Sequence, residues 1–533
     1  MAERDTRILA DLIATKAEAQ PDLDVVTFEG GGKFEDEIRT YAELWRNGNW
    51  VAAELIERGM APGDRFATMM RNHAEFVDIM VGASISACVY VPIDPRTRGA
   101  KLAYTLNNSE CKGIICADYC LDQVVEIQAQ LPNLEWVLVM ASEDGPGQTL
   151  MAEAVGAADL ACVYARPEVS VNSRLSGPSD PLQILYTSGT TGDPKGVVFR
   201  NGRFGGLGSI FPFEAGDRPY TGLSLTHGNA QMLTLGSSLA MSMRCIISRR
   251  FTKSRLWDIT RQYGATVFNL LGGMTAAVYA EPEQDNDGDN PVRFVISAGM
   301  PATIWEKFEQ RFSVDIFEFY GAIEGGLAFK PIGVGPIGSF GKAPKGLEMW
   351  IVDEEGRECA PGVMGEIISR PIKGPAPAVE YFKNTEASTK KTEGGWLRSG
   401  DIGHADEDGW LFFDYRKGGG LRHNGDFVNP GFVEQAIAEH PDVGDVFVYG
   451  VPPASGAPGE KDVVAAVVAV DGASLEPQSV FAICRRELEA NFVPSYLQVL
   501  AEIPKTASEK PQERFLLDAF GPNAPNVHSE QLG

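Results

Sequence analysis

The sequence is short of positive charge: 47 lysines and arginines stand against 72 aspartates and glutamates, a formal net charge of -25. A field of that sign repels nucleic-acid backbones and anionic lipid surfaces, and no local basic patch offsets it, so neither partner is expected. Cysteine is sparse, eight in 533 residues, and Cys111, Cys116 and Cys120 lack the paired spacing of a zinc site. Reduced thiols are the reading. No apolar run is long enough to span a bilayer: the most apolar stretch, Phe76 to Ile93, is broken by Asp78 and Pro92 and reads as a buried helix running into a core strand. The amino terminus mixes charges into an amphipathic pattern with no basic flank, and the last residues, Glu530 to Gly533, match no sorting signal. The expected location is therefore the cytoplasm.

A hydrophobic fraction of 44% with 22% charged residues is that of a globular protein, and the length exceeds what one core usually organises. Up to about Tyr415, helical patterns such as Tyr41 to Arg58 alternate with short apolar strands such as Gly113 to Cys116 and Trp136 to Met140, which is α/β layering. Between Gly335 and Arg370 short strands punctuated by Gly and Pro predict a small β-rich subdomain. The run Lys417 to Gly420 then frees the backbone where a linker is needed. The expectation is an α/β fold: a large N-terminal domain over 1–415, layered sheets and helices with a small β-barrel subdomain, then a small mobile α+β domain over 416–520 and a flexible tail over 521–533.

The densest chemistry lies in Tyr186 to Val197, YTSGTTGDPKGV, directly after the apolar strand-like PLQIL. Gly189 and Gly192 allow close backbone approach; Thr187, Ser188, Thr190 and Thr191 supply hydroxyls, and Lys195 a cation. Such a loop can wrap phosphates. It is not a Walker loop, because Gly196 follows the lysine where that motif needs Ser or Thr.

This loop resembles the signature of the adenylate-forming superfamily of acyl-CoA synthetases, peptide-synthetase adenylation domains and luciferases. Further motifs of that family follow in order: SAGMP from Ser297, FEFYGAIEGG from Phe317, WLRSGDIG around Asp401, YRKGGGLRHNGDFVNP from Tyr415 and PKTASEKPQ near the end. The resemblance implies an adenine-lining turn at Ala298, Gly299 and Met300, and a nucleotide segment Phe319, Tyr320, Gly321, Ala322 and Ile323 in which Tyr320 stacks on adenine. It also implies Mg²⁺ held by Glu324 with Thr187, ribose hydroxyls gripped by Asp401, and nucleotide contacts from Phe413 and Arg416. Lys510 would catalyse adenylation, and a hinge at Gly418 would bring the loop around Gly425 to coenzyme A. Glycine at the hinge resembles the very-long-chain and bile-acid branch. Two positions depart from the family pattern: Ile323 stands where threonine is usual and Glu509 where glycine is usual.

By the same resemblance the acyl pocket draws on LTHGNAQ, with His227, Asn229 and Gln231, and on FNLLGGM, with Asn269, Gly273 and Met274. These segments are similar to those of carnitine-type ligases. His227 reads equally as a gate beside the carboxylate or as a packed core histidine. The polar residues suit a medium-sized or functionalised acid. The expected activity is ATP-dependent formation of an acyl-adenylate and then of an acyl-CoA, by an enzyme whose default assembly is a homodimer. The alternatives are loading of a carrier protein and a catalytically silent nucleotide-binding relative.

Overall fold

Each apolar run of the first half becomes a strand or a buried helix of two large sheets. The computed structural model describes the chain except residues 1–3, 143–144, 146–152, 188–193, 205–207, 417–420, 424–425, 429, 455–460, 489–491, 507–508 and 531–533, together with the side chains at 272–273, 422 and 426–427. One sheet has seven strands in the order Ala157–Asp159, Trp136–Met140, Cys111–Ala117, Arg65–Met69, Val89–Ile93, Pro181–Tyr186, Gly196–Arg200; the last pair is antiparallel and the others are parallel. The other has eight, in the order Gly325–Lys330, Asp315–Ala322, Phe294–Ala298, Val267–Leu271, Pro219–Thr221, Cys245–Ser248, Asp24–Glu29, Glu37–Thr40, antiparallel only at its two ends.

A continuous apolar core joins the two sheets through the helices Leu9–Ala19, Tyr41–Glu57 and Ala74–Ser86. The second of these starts at Thr40, whose side chain accepts from Glu43 N while Glu43 returns a bond to Thr40 N, a reciprocal cap that satisfies two free donors. It meets the third helix at a pair of glycines. A Cβ at Gly48 would lie 2.4 Å from Val81 Cγ1 and one at Gly82 2.5 Å from Val51 Cγ1, so only glycine permits this approach. Asp78, the charge that interrupts the long apolar run, is fully buried and accepts from Arg39 Nε and Asn47 Nδ2 at 3.1 Å each.

The β-rich stretch forms an antiparallel sheet of Leu347–Val352, Gly365–Pro371, Leu397–Ala405 and Leu411–Arg416. Its last strand is bridged through Gly341 to the large domain, with Phe329 N to Lys342 O at 3.1 Å. Any Cβ at Gly341 would meet Phe329 O at 1.9 Å. Downstream, a hairpin of Leu421–His423 and Asp426–Val428 precedes a four-stranded sheet of Val443–Val451, Asp462–Ala469, Tyr496–Leu500 and Val527–Ser529, with helices Pro430–Ala438 and Pro477–Glu487 packed on it.

The expected flexible tail needs correcting. Residues Val527–Ser529 pair antiparallel with Tyr496–Leu500 as an edge strand, anchored by Val499 N to Asn526 O at 2.8 Å, and Val527 is buried. One inward valine and an unpaired strand edge suffice to order a segment whose Gly- and Pro-rich composition reads as loop. No described helix is long and apolar enough to cross a membrane.

Candidate active site

The glycine- and hydroxyl-rich loop hangs between two paired strands. Pro181–Tyr186 runs up and Gly196–Arg200 returns antiparallel, with Tyr186 opposite Gly196. The base is closed by Thr187 N donating to Lys195 O at 3.0 Å, and the Thr187 hydroxyl reaches the same carbonyl at 3.4 Å. Ser188, Gly189, Thr190, Thr191 and Gly192 lie outside the described residues, as do the hinge residue Gly418 and Gly425. Lys195 is solvent-exposed, with Nζ 5.6 Å from the centre of the Tyr381 ring.

Beside this loop, the strand Asp315–Ala322 and its turn carry the nucleotide segment. Tyr320 stacks on Phe340, with ring centres 4.6 Å apart, and donates its hydroxyl to Asp401 Oδ2 at 2.5 Å. The other oxygen, Oδ1, accepts from Arg416 at 2.6 Å, since Asp401 and Arg416 face each other across neighbouring strands. Burial, then the Asp401 charge, pushes the Tyr320 phenol far up, so it remains a donor. Glu324 accepts from the Tyr381 hydroxyl at 2.8 Å through Oε1. Phe413, on the same strand as Arg416, is 50% exposed.

The turn Ala298, Gly299, Met300 is held from below. Glu318, fully enclosed, accepts from Gly299 N at 2.5 Å and from Met300 N at 3.3 Å. Gly299 has φ +97°, a conformation suited to glycine. Desolvation outweighs those bonds and raises the Glu318 carboxyl to about 7. Gly321, Ala322 and Ile323 complete the strand end and its turn, and the Ile323 side chain packs over Gly228, where a Cβ would come within 2.9 Å of Ile323 Cδ1. Ile323 also touches the apolar set Val197, Val379, Tyr381 and Leu397. The missing threonine hydroxyl is thus replaced by an apolar contact.

Lys510 enters this cleft from the C-terminal part of the chain. The residue as a whole is exposed, yet desolvation of its ammonium and the Arg416 charge lower its pKa, against the pull of Asp401 and Glu324. A tight turn presents it: Glu509 N donates to Thr506 O at 3.0 Å, Thr506 N to Lys510 O at 2.8 Å. Glu509 has φ +58°, in the left-handed region, which is the physical reason that glycine suits this position. His227 lies near enough to Lys510 to feel its charge. Desolvation, then the Lys510 charge, lowers it to about 4, so its imidazole is neutral at neutral pH.

The acyl-pocket candidates divide. Asn269 is buried on the strand Val267–Leu271; its Oδ1 accepts from Thr234 Oγ1 at 2.8 Å and its Nδ2 donates to Asn229 Oδ1. Gln231 is fully buried, and its amide is occupied by Tyr90, Gln183 and the Leu225 carbonyl at 3.1, 2.7 and 2.6 Å. It is a structural tie beneath the pocket, a correction to its expected contact with substrate. Met274 is 1% exposed, within the core. Gly273 lies in the helix Gly272–Tyr279.

Sequence reasoning passed over Tyr381, Glu318 and Lys391. Lys391 donates to Ser399 O at 2.9 Å, and its pKa is lowered by desolvation despite the nearby Glu324 charge. Glu318 left one signal, an acid inside the apolar strand DIFEFYGA. Tyr381 and Lys391 left none.

Comparison with known proteins identifies the family. Residues 13–382 match the family described as AMP-binding enzyme, and residues 433–510 the AMP-binding enzyme C-terminal domain. The chain is 28% identical over 492 residues to the medium/long-chain-fatty-acid–CoA ligase FadD17 of Mycobacterium marinum, covering 91% of this chain and 92% of that protein. It is 27% identical over 482 residues to a crotonobetaine/carnitine–CoA ligase of Salmonella arizonae, covering 88% and 91%. Among solved structures it superposes on the anthranilate CoA ligase AuaEII in complex with anthranoyl-AMP, with a TM-score of 0.82, 21% identity and coverage of 96% and 97%. It also superposes on ATP-bound MatB from Rhodopseudomonas palustris, at 0.80, 22%, 96% and 98%. With the family match spanning more than half its length, the chain belongs to the AMP-binding enzyme family.

Proposed function

We infer that the protein is an ATP-dependent acid–thiol ligase that converts a carboxylic acid and ATP to an acyl-adenylate and pyrophosphate, then transfers the acyl group to coenzyme A with release of AMP. The observation that carries this reading is that Asp401, fixed by Tyr320 and Arg416, and Glu324, fixed by Tyr381, lie within electrostatic reach of Lys510.

The chemistry explains why those residue types belong together. A carboxylate oxygen must bond to the α-phosphorus as the bond to the β-phosphate oxygen breaks, which brings two anions into contact. Lys510, near Asp401 and Glu324 and with no salt bridge to a carboxylate among the described residues, is suited to bridge the substrate carboxylate and the α-phosphate. Asp401 is suited to accept ribose hydroxyls, with Arg416 and Tyr320 fixing its two oxygens. Neutral His227 can line the carboxylate without adding charge.

Mg²⁺ fits the residues present. Glu324 has one oxygen fixed by Tyr381, and no described partner takes the other. No cluster of three or more acidic, His or Cys side chains forms among the described residues, which suits a cation that takes one carboxylate and completes its shell with phosphates and water. Glu324 would hold it with Thr187, and the ion would offset phosphate charge.

The same reading takes residues 1–415 and 416–520 as two domains that rotate about Gly418 between the half-reactions, the second bringing the Gly425 loop to coenzyme A. It takes the substrate as a medium-sized or functionalised acid, the assembly as a homodimer and the location as the cytoplasm. A panel of carboxylic acids assayed for acid-dependent AMP formation, with and without coenzyme A, tests the activity. Pyrophosphate and AMP release that never depends on an added acid would refute it.

A further inference from the structure

We propose that the pocket selects acids carrying a hydrogen-bond acceptor along the chain, such as a ketone oxygen, and that Asn229 reads it through an amide N–H aimed by a relay from Thr234 through Asn269. This deepens the acid–CoA ligase reading and rests on it.

The relay has a direction. Asn269 is 3% exposed, so both ends of its amide need partners. Its Oδ1 is taken by the Thr234 hydroxyl at 2.8 Å, which leaves Nδ2 to donate, and Nδ2 donates to Asn229 Oδ1. With its own oxygen engaged, Asn229 has only its amide N–H₂ to offer, and among the described residues no group accepts from it. Thr234 is itself buried and sits in Ala230–Gly236, a stretch of wide π-type helical turn that begins directly after Asn229. Such turns recur where a helix is reshaped around a site.

The free end of the relay stands at the reactive cleft. Asn229 is half-buried; its neighbour Gly228 lies under Ile323, the residue before Glu324, and His227 feels the Lys510 charge. Ala230, next to it in the chain, and Leu233 and Leu270, next to Thr234 and Asn269, are buried in apolar cores. A fixed donor in such a setting favours a substrate that supplies an acceptor over one of equal size that does not, because the plain chain leaves the N–H₂ unmatched. A group that only donates, such as an ammonium, faces a second donor and is excluded.

The test compares pyrophosphate release by the full-length protein with straight-chain acids, the same chains bearing one ketone at successive carbons, and the same chains bearing a terminal amine. The expected result is a ketone position that raises kcat/KM about fivefold to tenfold over the plain chain, with the amines slowest. Asn229→Leu should bring that ratio to about one, and Thr234→Val, which keeps its shape and loses the hydroxyl that starts the relay, should lower it in part. Plain acids matching every ketone, a preference for amines, or a ratio unmoved by both variants would overturn the inference while leaving the ligase reading standing. No release with any acid would overturn both.

Discussion

Tyr381 donates its phenolic O–H to Glu324 Oε1 at 2.8 Å across 57 residues of chain, and its ring lies beneath the Lys195 ammonium at 5.6 Å. Burial, then the Glu324 charge, pushes the phenol up, so the hydroxyl keeps its proton to donate at neutral pH. One side chain therefore orients the carboxylate proposed to hold the metal and lies against Lys195, the lysine proposed to meet the phosphates. Tyr381→Phe should lower activity about 10–100-fold and raise the Mg²⁺ concentration needed for half-maximal rate. An Mg²⁺ titration identical to wild type would remove Tyr381 from this role.

Lys510→Ala should reduce acyl-adenylate formation about 10²–10³-fold and leave thioester formation from a preformed adenylate near wild type. Measuring the half-reactions separately distinguishes this from misfolding, which would depress both alike.

Asp401→Asn removes the anion that Tyr320 and Arg416 hold in place. Charge-assisted bonds of this kind contribute about 1.5–3 kcal/mol, so the KM for ATP should rise at least tenfold, with a smaller change in the KM for the acid. Equal changes in the two constants would argue against ribose recognition by Asp401.

Glu509 carries a left-handed backbone at φ +58°. Glycine there should relieve about 1–2 kcal/mol of steric strain while adding about 0.5–1 kcal/mol of unfolded-state entropy. Glu509→Gly is therefore expected to raise the urea midpoint modestly. A lower midpoint would mean that the Glu509 side chain makes a compensating contact.

Glu318, which is buried, and the half-buried Glu434 are carboxyls raised by desolvation from 4.5 to about 7; Glu318 accepts from Gly299 N and Met300 N, and Glu434 from Val448 N at 2.8 Å. The folded chain keeps these protons to higher pH than the unfolded chain does. Their stabilising contribution is complete below about pH 4.5 and is lost as pH rises through about 7. Replacing either by Gln, which preserves the acceptor, should flatten the fall in stability between those values, as read from urea denaturation at several pH values. An unchanged slope would show that they titrate as ordinary exposed acids.

Where side-chain chemistry was concentrated in consecutive residues, sequence reading and structure agree. The strand Trp136–Met140, the helix-to-strand run ending at Ile93 and the helix beginning at Tyr41 are all present, because apolar periodicity dictates a burial face. Asp401, Tyr320 and Arg416 were singled out separately, and the fold joins them through hydrogen bonds. The edge strand Val527–Ser529 was missed, since three residues carry too little periodicity to be read.

The family, the layered α/β class and the motif residues are legible in residue order alone, because those depend on residue types at short spacing. It took the folded chain to show that Gln231 is a tie within the core, that Tyr381 bonds Glu324, that Ile323 covers Gly228, and that the Thr234, Asn269 and Asn229 side chains form a directed chain. The reason is physical: whether a polar group faces a ligand or a neighbour depends on which partners the fold brings within about 3 Å, and those partners come from strands and turns far apart in the chain.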